Sequence, residues 1–145
     1  MPRLQHLALV ACLVAPLPSL AAPEPCGLLT PDEVTAAAGG KFGAGQAISK
    51  TSCAWTSPKP HLIVTASFEP AKDWGRLKTA QLPGVVIAPA SGLGDDAFYA
   101  TLLPYTMVYV KKGETVILVK VYGVKEQEKQ RDIVTALARS ALARL

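Results

Sequence analysis

The chain has 145 residues, of which 50% are hydrophobic, and a formal net charge of +4 at pH 7. One domain is expected at this length. The 15 basic and 11 acidic residues are interspersed along the chain, which is typical of a solvated surface rather than of a nucleic-acid-binding patch. Length and charge therefore indicate a small folded domain and argue against nucleic acid as a partner.

The N-terminal residues 1–21 have the layout of a secretory signal peptide. Arg3 supplies a positive charge, an apolar run extends from Leu7 to Leu17, and the small residues Ser19 and Ala21 precede the expected cleavage site. The apolar run is shorter than the roughly 20 residues that span a bilayer. We therefore expect export to the periplasm or beyond, with residues 22–145 forming one domain that has no transmembrane segment.

A second feature of the leader is the lipobox-like sequence Leu9-Val10-Ala11-Cys12. Acylation at Cys12 would leave a very short signal and would place the apolar segment 13–20 directly after the lipid. Lipid anchoring at Cys12 is therefore the alternative to cleavage near Ala21, and cleavage is the favoured interpretation.

Cleavage of the leader would leave two cysteines, Cys26 and Cys53. An even number of cysteines in an oxidising compartment favours a disulfide bond. A redox-active pair and an unbridged pair are the alternatives. The spacing is too wide for a Cys-x-x-Cys redox motif, and no histidine or basic cluster flanks either residue. We expect a structural disulfide.

The first predicted helix begins at a capping box. Thr30 is the N-cap, Pro31 occupies the first helical position and Glu33 lies three residues after the cap. Gly39-Gly40 ends the helix. The glycine-rich segment 41–46 lacks the spacing of a phosphate-binding loop and is interpreted as a connection.

Strand patterns lie on both sides of a second helix. Residues 50–57 and 61–69 alternate with period two and predict a hairpin that directs Cys53 and Trp55 into the core. A weaker helix is predicted from Pro70 to Lys78. Further strands are expected at 85–88, 97–103, 105–111 and 114–122, with the last two joined at Lys112-Gly113.

A long helix is predicted over residues 125–145. Its polar first half, residues 125–132, should project into solvent, and its second half carries an apolar stripe that should pack on the sheet. The apolar run 116–119 predicts a central strand covered by helices on one side. The predicted fold class is α+β, an antiparallel sheet with helices packed mainly on one face and one disulfide.

Patterns that carry chemistry are weak in this sequence. His61 is the histidine left after cleavage, and a lone histidine at a strand start cannot complete a Ser-His or Cys-His set. Asp95-Asp96 could hold a hard cation, but adjacent side chains usually diverge and Gly-x-Gly-Asp is common turn chemistry. We predict no catalytic residue, metal or cofactor. A metal-dependent or hydrolytic enzyme that uses Asp95, Asp96 and His61 is the alternative.

Several motifs together resemble a broad group of small exported or lipid-anchored bacterial domains of unknown function. They are the Cys26-Gly27-Leu28-Leu29-Thr30-Pro31 helix start, the Cys53-Ala54-Trp55 strand, the Gly92-Leu93-Gly94-Asp95-Asp96 turn and the Lys112-Gly113 hairpin. The likeness covers most of the chain after the leader, as a pattern rather than as identity. It implies a shared fold with a bridge of the Cys26–Cys53 type and no established activity.

The favoured function is a non-enzymatic exported domain that binds an envelope protein or a small ligand. The predicted binding surface joins the exposed sheet face, with Ile63, Thr65 and Tyr109, to the turn that holds Asp95 and Asp96. A purely structural envelope component is a further possibility.

Lys120 is expected on the same side of its strand as Leu118 and Tyr122. The tyrosines could line a groove or serve packing alone: Tyr99, Tyr105, Tyr109 and Tyr122.

Overall fold

Seven strands and three α-helices form within residues 23–145, the part of the chain that this computed structural model describes. The predicted signal peptide, with Cys12, lies outside the described residues. The helices are α1 (Pro31–Ala38), α2 (Trp74–Lys78) and α3 (Gln127–Leu142), and 3₁₀ turns cover Pro25–Gly27 and Ala71–Asp73. The strands are β1 (Gln46–Ala47), β2 (Ser52–Pro58), β3 (His61–Glu69), β4 (Val85–Pro89), β5 (Asp96–Leu102), β6 (Tyr105–Lys112) and β7 (Thr115–Tyr122).

The strands pair into one antiparallel sheet of order β1-β2-β3-β7-β6-β5-β4. The predicted β2–β3 and β6–β7 hairpins are both present, and pairing of β3 with β7 joins the two groups of strands. The apolar strand β7 is therefore central, as its run of four hydrophobic residues predicts. The predicted α+β class is confirmed.

One face of the sheet packs against α1 and α3 and forms the core. Alternate strand residues such as Trp55, Val64 and Val119 are at most 1% exposed there. The predicted apolar stripe of α3 meets them because its residues recur at helical spacing. The buried members of that stripe are Ile133, Val134, Leu137, Ala138 and Ala141. No helix within residues 23–145 is both long and apolar enough to cross a membrane.

The polar first half of α3 is exposed over residues 125–129 and at Asp132, as predicted, but Gln130 is an exception. Gln130 is only 3% exposed. Its Nε2 donates hydrogen bonds to the carbonyl oxygens of Pro104 and Val124, at 2.8 and 2.6 Å. Pro104 lies in the β5–β6 turn and Val124 in the connection before α3. Buried carbonyls are normally hydrogen-bonded, and the Gln130 side chain supplies the donor for both.

The opposite face of the sheet is covered at its β4–β5 end by α2. The ring of Trp74 contacts that of Phe98, with centroids 5.2 Å apart. Trp74 Nε1 also donates a hydrogen bond to Asp96 at 3.2 Å. The helices thus lie mainly on one face, with α2 as the exception within the described residues.

The helix face is held together by covalent and ionic links near α1. Cys26 and Cys53 form the predicted disulfide, which ties the first 3₁₀ turn to β2. Arg144, after α3, donates to the Leu28 carbonyl and to Glu33 of the capping box. These links connect both ends of the described chain to the same corner of the core.

Reduction of the disulfide should destabilise the protein substantially. The two cysteines are 27 residues apart in sequence. For a loop of this length, the chain-entropy model gives about 3.5 kcal/mol of stabilisation. Urea unfolding with and without reductant measures the difference. A Cys26→Ala/Cys53→Ala variant should not respond to reductant, and equal midpoints for the oxidised and reduced natural protein would contradict the expectation.

Charge on Glu33 should stabilise the fold in a pH-dependent way. Burial raises the pKa of Glu33, but hydrogen bonds from Thr30 and Arg144, with the charge of Arg144, together lower it. A carboxyl whose pKa falls on folding adds stability above its unfolded pKa of about 4.3, and this stability is lost as the pH falls through the folded value.

Glu33→Gln keeps an acceptor oxygen and removes the charge. At neutral pH it should lower the free energy of unfolding by about 1 kcal/mol. The difference should shrink as the pH falls below the unfolded pKa of about 4.3 and disappear once the pH is below the lowered pKa of the folded state. Asp32→Asn, in the same helical turn, is the control and should have a smaller effect. A Glu33→Gln deficit that persists unchanged in acid would show that charge is not its cause.

Candidate functional site

Alternate residues of each strand point away from α1 and α3, because the side-chain period of a strand is two. On β2, β3, β6 and β7 they form a surface that we call the open face. The sequence prediction placed Ile63 and Thr65 on an exposed sheet face, and the register agrees. The open face carries Ala54, Thr56, Ile63, Thr65, Ser67, Tyr105, Leu118, Lys120 and Tyr122.

A cleft of about 280 Å³ lies on the open face between β3, β6 and β7. Pairing of β3 with β7 sets Ile63 beside Tyr122 and Thr65 beside Lys120. Tyr105 closes the other side, with its ring centroid 6.3 Å from that of Tyr122 and the two rings tilted by 52°. We call this the tyrosine cleft, lined by Ile63, Thr65, Tyr105, Lys120 and Tyr122.

Lys120 supplies the charge of the tyrosine cleft. Its Nζ lies 5.3 Å from the centroid of the Tyr105 ring, a cation–π arrangement. Within residues 23–145, no carboxylate lies at ion-pair distance from it. Glu69 is on the same face but lies four residues along β3 from Thr65, about 13 Å away, and Ser67 donates a hydrogen bond to it. The positive charge of Lys120 is therefore available to a ligand.

The four tyrosines divide between packing and the cleft. The hydroxyl of Tyr99 lies 2.6 Å from Thr135 Oγ1 of α3, and Arg131 covers its ring, so Tyr99 belongs to the helix face. Tyr109 stacks on Phe98 at 4.9 Å. Burial, aided by the charge of Glu69, raises the pKa of Tyr109. Tyr105 and Tyr122 line the tyrosine cleft, and Tyr122 is 42% exposed.

A second hollow, which we call the apolar cavity, lies beneath α2 on the same side of the sheet as the open face. Its volume is about 160 Å³. Its walls come from α2, from the segment that follows it and from β4, β5 and β6. They include Leu77, Leu82, Ile87, Phe98, Ala100 and Met107, together with Tyr109. Tyr109, predicted to belong with Ile63 and Thr65, therefore lines a different hollow from theirs.

Asp95 and Asp96 do not share a site. Asp95 Oδ2 accepts a hydrogen bond from the Gly113 amide at 2.7 Å, which stabilises the β6–β7 turn. Asp96 Oδ2 accepts from Lys78 Nζ at 2.6 Å and from Trp74. The hydrogen bond from Lys78 is the main cause of the lowered pKa of Asp96. Within residues 23–145, no group of three or more acidic, histidine or cysteine side chains is arranged to hold a metal.

His61 lies far from both aspartates. Asp96 is aligned across β6 and β7 with Glu69, at one end of β3, whereas His61 begins the same strand. The eight-residue step from His61 to Glu69 corresponds to about 26 Å along the strand. Proton transfer requires groups at about 3 Å or linked by one water. The structure therefore does not bring these three residues together.

The binding surface predicted from the sequence does not include Lys120; its residues are Ile63, Thr65, Tyr109, Asp95 and Asp96. From the sequence, Tyr105 and Tyr122 are only two of the four tyrosines that could line a groove or serve packing. Period-two alternation already placed Lys120 and Tyr122 on one side of β7. The missing information was which strand lies beside β7, and this depends on tertiary pairing. Comparisons with protein-family models, curated proteins and solved structures found no match for this chain.

Proposed function

We propose that this protein is an exported, non-enzymatic binding domain that holds a small anionic ligand in the tyrosine cleft. The observation that carries the proposal is Lys120, which lies over an aromatic ring with no carboxylate partner within the described residues. Hydrogen bonds between an ammonium group and an anion are stronger than neutral ones. An anion in the cleft would give Lys120 its missing counter-charge.

The other residues of the cleft suit the uncharged part of such a ligand. Tyr105 and Tyr122 offer two aromatic rings, which can stack on a planar or apolar group. Thr65, paired with Lys120, adds a hydroxyl that can donate or accept a hydrogen bond. Ligand pockets commonly combine aromatic walls with a few polar groups in this way.

The size and support of the cleft favour a small ligand over a protein partner. Its volume of about 280 Å³ is near the lower end of small-molecule pockets. All five lining residues lie on strands of a hydrogen-bonded sheet, which fixes the positions of their backbones before the ligand binds. The Cys26–Cys53 disulfide supports an oxidising, extracytoplasmic location.

Benzoate is a suitable probe because it joins one carboxylate to one aromatic ring. Titration followed by amide NMR should shift resonances of Ile63, Thr65 and Tyr122. Lys120→Met should weaken benzoate binding about tenfold, because it removes a charge-assisted hydrogen bond. Benzyl alcohol has the ring without the charge. Its affinity for the natural protein should be no higher than the affinity of benzoate for Lys120→Met, because each combination lacks one of the two charges.

Lys111→Met is the matched control, because Lys111 lies on the same side of the sheet, aligned with Glu69 and outside the cleft. It should leave benzoate binding unchanged. Equal benzoate affinity for Lys120→Met and the natural protein, or shifts confined to residues outside the cleft, would overturn the proposal.

A further inference from the structure

The tyrosine cleft and the apolar cavity are neighbours on one side of the sheet. Met107, which lines the cavity, pairs with Lys120 on β7 and with Ala100 on β5. Paired residues of adjacent strands point to the same face, so these three side chains form a row. Lys120 and Ala100 are separated by two strand spacings, about 10 Å. A single small molecule can reach from one hollow to the other.

The two hollows differ in chemistry. The apolar cavity presents aliphatic, aromatic and thioether groups, and its 160 Å³ is close to the size of an apolar cavity that binds benzene, about 150 Å³. The nearby cation of α2, Lys78, is already paired with Asp96. Lys111 lies on the same side of the sheet but is aligned with Asp96, toward the far end of β6. Lys120 pairs directly with Met107 of the cavity wall, so Lys120 is the cation that a ligand in the cavity meets in this row.

The cover of the cavity is held by few buried contacts. None of the residues of α2 is buried. Leu82, in the segment after α2, lines the cavity and is nevertheless 60% exposed. A wider cleft of about 710 Å³ shares Leu82 and Ile87 with the cavity. Segments with little buried surface open at low cost in free energy, so an apolar group has a route beneath α2.

We infer that the ligand is a small amphiphile whose anionic group binds at Lys120 and whose apolar chain lies in the cavity beneath α2. The inference rests on the proposed function of the tyrosine cleft and adds the chemical class of the ligand. The anionic group is assigned to Lys120 because their charges are complementary. The apolar part of the ligand is assigned to the cavity because the cavity is lined by apolar side chains. A medium-chain carboxylate has this form.

Chain length is the variable that tests the inference. Butyrate, hexanoate and octanoate carry the same head and differ only in apolar length, and calorimetry or amide NMR gives their affinities. Each methylene group that enters the cavity should tighten binding about fourfold. Octanoate should therefore bind the natural protein far more tightly than butyrate, and Lys120→Met should weaken both acids.

Two substitutions in one row of the sheet test whether the gain in affinity with chain length depends on the cavity or on another part of the same face. Ala100→Leu fills the cavity from its floor and should return octanoate to the affinity of butyrate while leaving butyrate unchanged. Ala54→Leu makes the same change on β2, in line with Ala100 but outside the cavity, and should leave both affinities unchanged. If Ala100→Leu does not fold, Leu77→Phe narrows the cavity from the exposed α2 side and should have the same effect.

The outcomes distinguish the inference from the function on which it rests. Butyrate binding that depends on Lys120, with no gain at greater chain length, would overturn the amphiphile and leave the proposed function standing. Octanol that binds as tightly as octanoate, with no effect of Lys120→Met, would show an independent apolar site and would also overturn the inference. Failure of both benzoate and all three carboxylates to bind at Lys120 would overturn inference and function together.

Discussion

The pairing of β3 with β7 is the contact on which the rest of this structure depends. It joins an N-terminal hairpin to a C-terminal group of strands that lies far along the chain. On the helix face the pairing brings Val64 against Val121 in the core, and on the other face it brings Thr65 against Lys120. Because side chains alternate strictly across a sheet, one register builds both surfaces. A slip by one residue would exchange the core and the cleft.

The distribution of the helices makes the two faces of the sheet differ: one face forms the hydrophobic core, and the other remains largely open. α1 and α3 bury nearly all of the large hydrophobic surface on one side, and the disulfide and Arg144 hold that side together at one corner. Burial of apolar surface is the main source of stability. Residues of the open face therefore contribute less to folding, and substitutions there can alter binding without loss of the fold.

The short helix α2 covers one end of the sheet on the side opposite α1 and α3. It packs through Trp74 on Phe98 and is held by Asp96, so one end of it is anchored to β5. The segment after it leaves Leu82 largely exposed beside the apolar cavity. This arrangement gives the sheet a covered hollow next to an open, charged one. An amphiphilic ligand needs both environments within its own length.

Local signals in the sequence determined the capping box at Thr30, the β2–β3 and β6–β7 hairpins and the inward and outward sides of each strand, because each of these features depends on neighbouring residues. The bridge between Cys26 and Cys53 also followed from the sequence, because two cysteines allow a single pairing. Only the tertiary structure decided that β7 lies between β3 and β6, that Gln130 is buried where it donates to two loop carbonyls, and that Tyr109 lies beneath α2 rather than beside Ile63. These features arise from contacts between distant segments. Such contacts leave no periodic signal, so Lys120 became a candidate only when the fold set Thr65 and Tyr105 beside it.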